Sequence, residues 1–150
     1  MRLLPAHPRH RLIIYCDGAA RGNPGPAGIG AAVFSESGAL LAEVSEGIGI
    51  ATNNVAEYTA LVRGLEAVSE HVGNKVSETD VVVEMDSKLA IEQMKGAWKI
   101  KHPNMKLLAA KAGELCSRFR SVSFTHIPRE KNAHADMLAN RAMDQGMGRA

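Results

Sequence analysis

The sequence predicts an α/β fold with a five-stranded mixed sheet, in the strand order 3-2-1-4-5, and helices on both faces. Three strand-like segments follow one another closely between residues 11 and 47, as in an antiparallel meander. The later strand-like segments alternate with helical ones, which is typical of parallel strands joined by right-handed crossovers. The length of 150 residues and the hydrophobic share of 45% fit a single domain with one core.

The first strand is expected over residues 11–17, because the apolar run Leu12–Cys16 predicts a strand buried on both faces. This strand ends on Asp17, and a loop rich in Gly, Asn and Pro follows. The second and third strands are expected at Gly28–Glu36 and Leu40–Gly47. An acid at the carboxyl end of a central strand occupies the usual position of a site in an open α/β sheet.

The clearest helix is expected over residues 51–71, with Thr52 or Asn53 as its N-cap. At 100° per residue, Glu57 lies nearly in line with the buried face of this helix, which includes Gly64. A carboxylate on the rim of a buried face is unfavourable unless it has a partner. A glycine on that face lets the helix approach its neighbour closely.

The rest of the domain is expected to alternate strands and helices, and its second buried parallel strand also ends on an acid, Asp86. In chain order the remaining elements are a strand at 81–85, helices over 87–95 and about 104–118, a strand at 122–127 and a closing helix within 128–146. Residues 1–10 are expected to form a flexible N-terminal arm, residues 11–146 the folded domain and residues 147–150 a C-terminal tail.

Composition and charge narrow the class of protein. Cys16 and Cys116 fall within a predicted strand and a predicted helix, so we expect reduced core residues of a cytoplasmic protein. Neither a secretory signal nor an apolar run of membrane-spanning length is visible, and no membrane partner is expected. Lys and Arg total 18 against 16 Asp and Glu, so the net charge of +2 supports nucleic-acid binding only weakly.

The predicted topology brings four acids to one edge of the sheet: Asp17, Glu57, Asp86 and Asp136. Two like charges about 4 Å apart repel by roughly 4 kcal/mol at an effective dielectric constant of about 20. Several such pairs would consume a large part of a typical domain stability of roughly 5–15 kcal/mol, unless protons or cations neutralise them. Oxygen ligands without His or Cys favour Mg²⁺, with Mn²⁺ as a substitute, and two such ions would support phosphoryl displacement. The pattern therefore predicts a metal-dependent phosphodiesterase.

Each acid also has a simpler interpretation. Asp86 could be the N-cap of the helix that follows it, and Asp17 could be an ordinary turn residue before glycine. Glu57 would be exposed if the helical phase differed by one residue. Asp136 could be a solvated helix acid. The prediction depends on the four residues acting as a set.

Five motifs resemble ribonuclease H type 1, in the expected order over about residues 11–145: YCDGAARGNPGPAGIGAAV, TNNVAEYTAL, VEMDSKLAIEQM, GAWKIKHPN and REKNAHADMLANRAMD. The resemblance is to the compact bacterial form found in actinobacteria. It implies a monomeric endonuclease that uses two Mg²⁺ ions to cut the RNA strand of an RNA/DNA hybrid, leaving 3′-hydroxyl and 5′-phosphate ends. It assigns the catalytic and metal-binding roles to Asp17, Glu57, Asp86 and Asp136, with Asp17 bridging both ions.

The resemblance also implies contacts with the hybrid, including minor-groove contacts where 2′-hydroxyls distinguish RNA from DNA. The implied contact residues are Asn23, Thr52, Asn53, Asn54, Lys88, Trp98, Lys99 and Asn132. Helix capping is the alternative for Thr52, Asn53, Asn54 and Asn132. A place in the core is the alternative for Trp98.

The chain departs from the family pattern in two places. Many relatives carry a histidine in the catalytic loop before the closing helix, and aligned on Asn132 and Asp136 this chain is expected to have lost it. His126 is expected at the end of the last strand, leaving Arg129 or Glu130, or no side chain, to assist product release. Some relatives also insert a basic extension after the third acid, and here the shorter segment GAWKIKHPN occupies its place.

Three other functions are compatible with parts of the pattern. A hybrid-binding module without catalysis would be suggested if any of the four acids were missing, but all four are present. A DNA-directed nuclease of the same fold class would not need the paired asparagines and the GNPGPAG loop. A phosphate-cradling nucleotide site is disfavoured, because Pro24 and Pro26 remove N–H donors and no GKS or GKT follows.

Because the basic extension is missing, we predict weaker hybrid binding than in relatives that carry it, with a shallow dependence of affinity on salt. The physical reason is that fewer phosphate contacts release fewer counterions. Titrations of hybrid at several salt concentrations, beside a relative with the extension, measure the slope. A steep slope, indicating many phosphate contacts, would contradict this prediction.

Overall fold

The computed structural model describes residues 10–96 and 99–146 of the chain. Its strands are β1 (His10–Ala20), β2 (Gly25–Ser35), β3 (Leu40–Ala51), β4 (Thr79–Met85) and β5 (Ser121–His126). Its α-helices are α1 (Asn53–Val72), α2 (Lys88–Met94), α3 (Pro103–Arg118) and α4 (Ala133–Gly146). Short 3-10 segments at Gly73–Glu78 and Arg129–Lys131 complete the described part of the chain.

The five strands form one mixed sheet in the order β3-β2-β1-β4-β5. Strand β1 pairs antiparallel with β2, and β2 pairs antiparallel with β3. Strands β1 and β4 pair in parallel, as do β4 and β5. The predicted strand order and directions are therefore confirmed.

The first three strands are longer than predicted, because their pairing continues into the glycine-rich segment. The β1–β2 register runs to Ala20↔Ala27, and the β2–β3 register extends to Gly25↔Ala51. Only residues 21–24 remain between β1 and β2, and we call them the β1–β2 loop. In a sequence, such glycines predict the end of a strand. In the folded sheet, neighbouring strands can satisfy the backbone hydrogen bonds of these glycines, so the strands continue.

The two faces of β1 are buried to different degrees. Leu12, Ile14 and Cys16 are buried, whereas Ile13 and Tyr15 are only half-buried. The expectation that this strand is buried on both faces is therefore wrong for one face. The buried face lies under α1, while the other face is partly covered by α4, which packs on β1, β2 and β3.

Glycines allow the helices to press against the sheet. A Cβ at Gly64 of α1 would lie 2.9 Å from Ile14 Cγ2 and 3.0 Å from Cys16 Sγ, so the predicted close approach is confirmed. A Cβ at Gly18 would lie 2.2 Å from the carbonyl carbon of Ala56 on the same helix. These contacts fix the position of α1 over the end of β1.

Some expectations fall outside the described residues, namely the arm before residue 10, Trp98 and the tail 147–150. His10 itself already belongs to β1. Among the described helices, none combines the length and the apolar character that crossing a membrane would need.

Gly30 of β2 offers a test of how tightly α4 packs on the sheet. A Cβ there would lie 2.2 Å from the carbonyl oxygen of Ala135 and 2.7 Å from Leu138 Cβ. Gly30→Ala should therefore lower the free energy of unfolding by about 1–3 kcal/mol, the usual range for overpacking, as measured by urea denaturation. The control is Gly113→Ala in α3, where a Cβ meets nothing within 4 Å and helix propensity should raise stability by up to about 1 kcal/mol. Equal effects at the two positions would contradict this packing.

Candidate active site

Asp17 and Asp86 lie side by side at one edge of the sheet. The last parallel pair between β1 and β4 is Cys16↔Met85, so the next residue on each strand is one of these acids. Neighbouring strands are about 4.8 Å apart, which keeps the two residues close. Asp17 is only 6% exposed, and this excludes its interpretation as an ordinary turn residue on the surface.

Glu57 reaches the same edge from the second turn of α1. Its Oε1 accepts a hydrogen bond from the Gly18 amide at 3.4 Å, in the residue next to Asp17. Its Oε2 is buried and has no hydrogen-bond partner among the described residues. A buried carboxylate oxygen without a partner is unfavourable, so this atom requires a proton or a cation.

Asp136 comes from the first turn of α4, and Asn132 fixes the start of that helix. The Asn132 side chain donates through Nδ2 to the Cys16 carbonyl at 2.8 Å, and the backbone carbonyl of Asn132 accepts from the Asp136 amide at 3.0 Å. Asn132 therefore links the backbone before Asp17 to the backbone of Asp136. Asn132 is 1% exposed, and this burial argues against its predicted contact with a substrate.

The four acids converge on one open cleft of about 390 Å³. One carboxylate oxygen each from Asp17, Glu57 and Asp86 lies within 4.8 Å of the other two. Asp136 lines the same cleft, together with Arg129, whose Nη2 is 3.9 Å from Asp136 Oδ1. The remaining lining residues are Gly18, Ala19, Asn53, Asn54 and Ser87.

This crowding shifts the protonation of the carboxyl groups. Burial, then the charge of Asp86 and the neighbouring Asp136 carboxyl, raise the pKa of Asp17 to about 8. Burial, followed by the charges of Asp17 and Asp86, also raises the pKa of Glu57 well above its ordinary value. Without cations, the cluster retains protons near neutral pH.

The capping interpretation of Asp86 is wrong, because the next residue caps α2. Ser87 Oγ accepts a hydrogen bond from the Ala90 amide at 3.2 Å. The Asp86 side chain is thus available to the cleft. At the start of α1, Thr52 is the N-cap, since its Oγ1 accepts from the Val55 amide at 3.2 Å. The predicted contact of Thr52 with the hybrid stays a prediction.

Asn23 and Asn53 hold the β1–β2 loop against the start of α1. The Asn53 amide donates to Asn23 Oδ1 at 3.0 Å, and the Ala20 amide donates to Asn53 Oδ1 at 2.8 Å. Both side-chain oxygens are therefore occupied within the protein. The side-chain NH₂ groups remain as the donors that these asparagines can present outward. Asn54 is exposed at the rim of the cleft.

The predicted lysine contacts are not among the residues that line the cleft. Lys88 is exposed at the start of α2, and Lys99 is exposed after it; neither lines the cleft. The Lys99 carbonyl accepts a hydrogen bond from Gln93 Nε2 at 3.2 Å. The predictions for these lysines and for Trp98 remain predictions.

His126 stands closer to the site than the sequence argument expected. It is the last residue of β5, as predicted, and its exposed ring places Nε2 3.3 Å from the Asp86 carbonyl oxygen. A histidine is therefore present at this edge, although the loop after it was expected to have none. The signal that could have found it is the parallel pairing of β4 with β5, which aligns Met85 with His126.

The mixed sheet and the carboxylate cluster at its edge define a protein of the ribonuclease H-like class. The model of the reverse transcriptase-like family matches residues 15–142. The chain is 47% identical over 135 residues to the bifunctional protein Rv2228c of Mycobacterium tuberculosis, covering 89% of this chain and 36% of the relative. It is 31% identical over 147 residues to a ribonuclease H of Methylobacillus flagellatus, covering 91% of this chain and 93% of the relative.

A solved structure agrees with these relatives. LC11-RNase H1 in complex with an RNA/DNA hybrid is 48% identical, with a TM-score of 0.86 over 91% of this chain and 99% of that one. The chain belongs to the type 1 ribonuclease H family. It spans about a third of the length of the curated relatives that it matches at 47% identity.

The raised pKa of Asp17 predicts a pH dependence of stability in EDTA. Between the ordinary Asp value of about 3.9 and the folded value of about 8, the folded state binds more protons than the unfolded state. The contribution of Asp17 to stability should therefore fall as the pH rises through this range and level off above it. Thermal unfolding from pH 5 to 9, compared with Asp17→Asn, isolates this contribution. Parallel curves for the two proteins would contradict the prediction.

Proposed function

We propose that this chain is an endoribonuclease that hydrolyses the RNA strand of RNA/DNA hybrids and leaves 3′-hydroxyl and 5′-phosphate ends. The observation that carries the proposal is the convergence of Asp17, Glu57 and Asp86, whose carboxylate oxygens lie within 4.8 Å of one another. Asp136 joins them in the same cleft. We also propose that the folded domain comprises residues 11–146 and acts as a cytoplasmic monomer.

The donor set fits divalent cations that prefer oxygen. The unpartnered, buried Oε2 of Glu57 and the raised pKa of Asp17 both indicate carboxylates that lack a compensating positive charge. Asp17, Glu57, Asp86 and Asp136 would hold two Mg²⁺ ions, with Mn²⁺ as a substitute. When bound, such a pair orients the attacking water and stabilises the oxygens of an in-line phosphoryl displacement.

Recognition of the hybrid follows from the orientation of the asparagines. Because Asn23 and Asn53 use their oxygens inside the protein, the groups that they can offer to a substrate are their NH₂ donors. Acceptors lie in the shallow minor groove of the hybrid, where base edges and 2′-hydroxyl oxygens are accessible. Donors at the rim of the cleft would set the register of the hybrid relative to the acids.

Two side chains beside the acids can act on the scissile phosphate or on the leaving group. Arg129 is 3.9 Å from Asp136 and supplies a positive charge at the wall of the cleft. His126 lies against the backbone of Asp86 and can donate or accept a proton near the same edge. We propose that one or both assist departure of the cleaved strand.

The relatives support the substrate assignment. A structure 48% identical to this chain was solved with an RNA/DNA hybrid bound. A ribonuclease HI of Halobacterium salinarum is 42% identical over 134 residues, which cover 65% of that protein. The alternatives of hybrid binding without catalysis, or of DNA cleavage, are outcomes of the experiment below.

The test offers labelled RNA/DNA hybrid, double-stranded RNA, double-stranded DNA and single-stranded RNA to the protein in Mg²⁺ or EDTA. We expect cleavage of the hybrid RNA strand in Mg²⁺ alone, and a loss of at least about 10²-fold in kcat for Asp86→Asn. The matched control is Asp80→Asn on the same strand, since Asp80 pairs with Ser121 and Arg120 at the far end of β4. This control should retain activity.

Three results would contradict the proposal. Cleavage of the DNA duplex in preference to the hybrid would assign a DNA-directed nuclease. Binding of hybrid without cleavage in Mg²⁺ would assign a binding module. Equal losses in Asp86→Asn and Asp80→Asn would show that acid removal acts through folding, which thermal unfolding of both variants measures directly.

A further inference from the structure

Arg21 reaches from the β1–β2 loop across to the closing helix α4. Its Nη1 forms an ion pair with Asp144 Oδ1 at 2.5 Å, and its Nη2 lies 3.5 Å from Asn140 Oδ1. Arg21 and Asp144 are 123 positions apart in the sequence. The guanidinium is therefore already engaged with two side chains of another element.

The contacts continue from Arg21 to both sides of the cleft. On α4, Asn140 Nδ2 donates to the Asp136 carbonyl at 2.9 Å, one turn from the Arg21 contact. On the loop, the Arg21 amide donates to the Pro26 carbonyl at 2.8 Å and closes the loop that contains Asn23. One side chain thus connects the loop that contains Asn23 with the helix that carries the fourth acid.

We propose that Arg21 is a positioning residue that fixes the spacing between the asparagine donors and the acid cluster. This inference rests on the proposed function. The spacing matters only if the asparagines bind the minor groove of a hybrid while a phosphate of the same hybrid lies at the acids. Asn23 and Asn53 attach the loop to α1, and Arg21 attaches the same loop to α4. A loop that is already held in its binding position loses less conformational entropy when the substrate binds, so the connection should strengthen binding of the hybrid.

The exposure of the Arg21–Asp144 ion pair indicates which measured quantity its loss should change. Both side chains are partly exposed, at 30% for Arg21 and 43% for Asp144, and exposed ion pairs add little to global stability. Loss of the pair should therefore leave the fold intact and loosen the loop. The effect should appear in KM for the hybrid and not in kcat, since the acids keep their own anchors at Gly18 and Asn132.

Removal of Asp144 distinguishes this positioning role from direct binding of a phosphate by Arg21. If Arg21 bound the nucleic acid directly, removing Asp144 would free its charge and reduce repulsion of the polyanion, so binding would tighten. If Arg21 positions the loop, removing Asp144 takes away the ion pair and weakens the attachment of the loop to α4, although Asn140 Oδ1 remains 3.5 Å from Arg21 Nη2, so binding weakens. The two roles predict opposite signs for Asp144→Ala.

The experiment measures kcat and KM on RNA/DNA hybrid for Arg21→Ala, Asp144→Ala, the double variant and Arg21→Lys. We expect each alanine variant to raise KM about 3- to 10-fold with kcat within about twofold of the parent, because the loosened loop must be ordered when the hybrid binds. The double variant should match Arg21→Ala, because removing Arg21 already removes the ion pair with Asp144. Arg21→Lys should bind hybrid more tightly than Arg21→Ala, because the lysine keeps a positive charge that can pair with Asp144.

Arg63→Ala is the matched control. Arg63 also joins two elements through carboxylates, pairing with Glu46 of β3 and Glu66 of α1, but it lies outside the cleft. We expect its KM to stay at the parent value. A KM increase in Arg63→Ala equal to that in Arg21→Ala would overturn the proposal, as would an unchanged or lowered KM in Asp144→Ala, or additive effects in the double variant.

Hydrogen exchange without substrate tests the same connection independently of catalysis. The Asn53 amide is protected by Asn23 of the loop, so its exchange should accelerate in Arg21→Ala and in Asp144→Ala, but not in Arg63→Ala. Unchanged exchange in the first two variants overturns the positioning role. If the parent protein does not cleave hybrid, the proposed function fails, while this measurement still decides whether Arg21 holds the loop.

Discussion

Repulsion among buried carboxylates is the constraint on which the site depends. Asp17 and Glu57 have raised pKa values because burial and neighbouring acids disfavour their charged forms. A flexible surface would relieve this repulsion by letting the side chains separate. Here the backbone prevents that separation. The electrostatic repulsion among the acids therefore favours binding of a cation or a proton in the cleft.

Backbone contacts, more than side-chain packing, hold the acids together. Parallel pairing of β1 with β4 aligns Asp17 with Asp86, because the pairing ends one residue before both. The absence of a side chain at Gly18 lets α1 approach until Glu57 accepts the Gly18 amide. Asn132 then attaches the start of α4 to the Cys16 carbonyl. Each anchor lies within a few residues of an acid, so the site is rigid even where its rim is open.

The sequence was sufficient for the sheet order and for the convergence of the acids, because strand ends and helical phase are local patterns with known geometry. It could not distinguish a rim residue from a buried one at Asn132, since the Cys16 carbonyl that satisfies its amide lies 116 positions away. Arg21 was missed for the same reason. Its partners on α4 are acidic and polar residues of an ordinary amphipathic helix, and nothing in their spacing indicates a contact with the β1–β2 loop.

The position of His126 follows from the parallel pairing of β4 with β5. The length of the segment between β5 and α4 does not indicate it. Parallel strands that end together place their following residues together, so a histidine closing β5 must stand beside the acid that follows β4. The same logic bears on affinity. The net charge of +2, from 18 basic and 16 acidic residues, gives only weak overall attraction to a polyanion, and Arg21 is already paired with Asp144. If the chain binds a hybrid as proposed, fixed donors and fixed spacing would contribute more to recognition than overall electrostatic attraction, and attachment of the loop on both sides would meet that requirement.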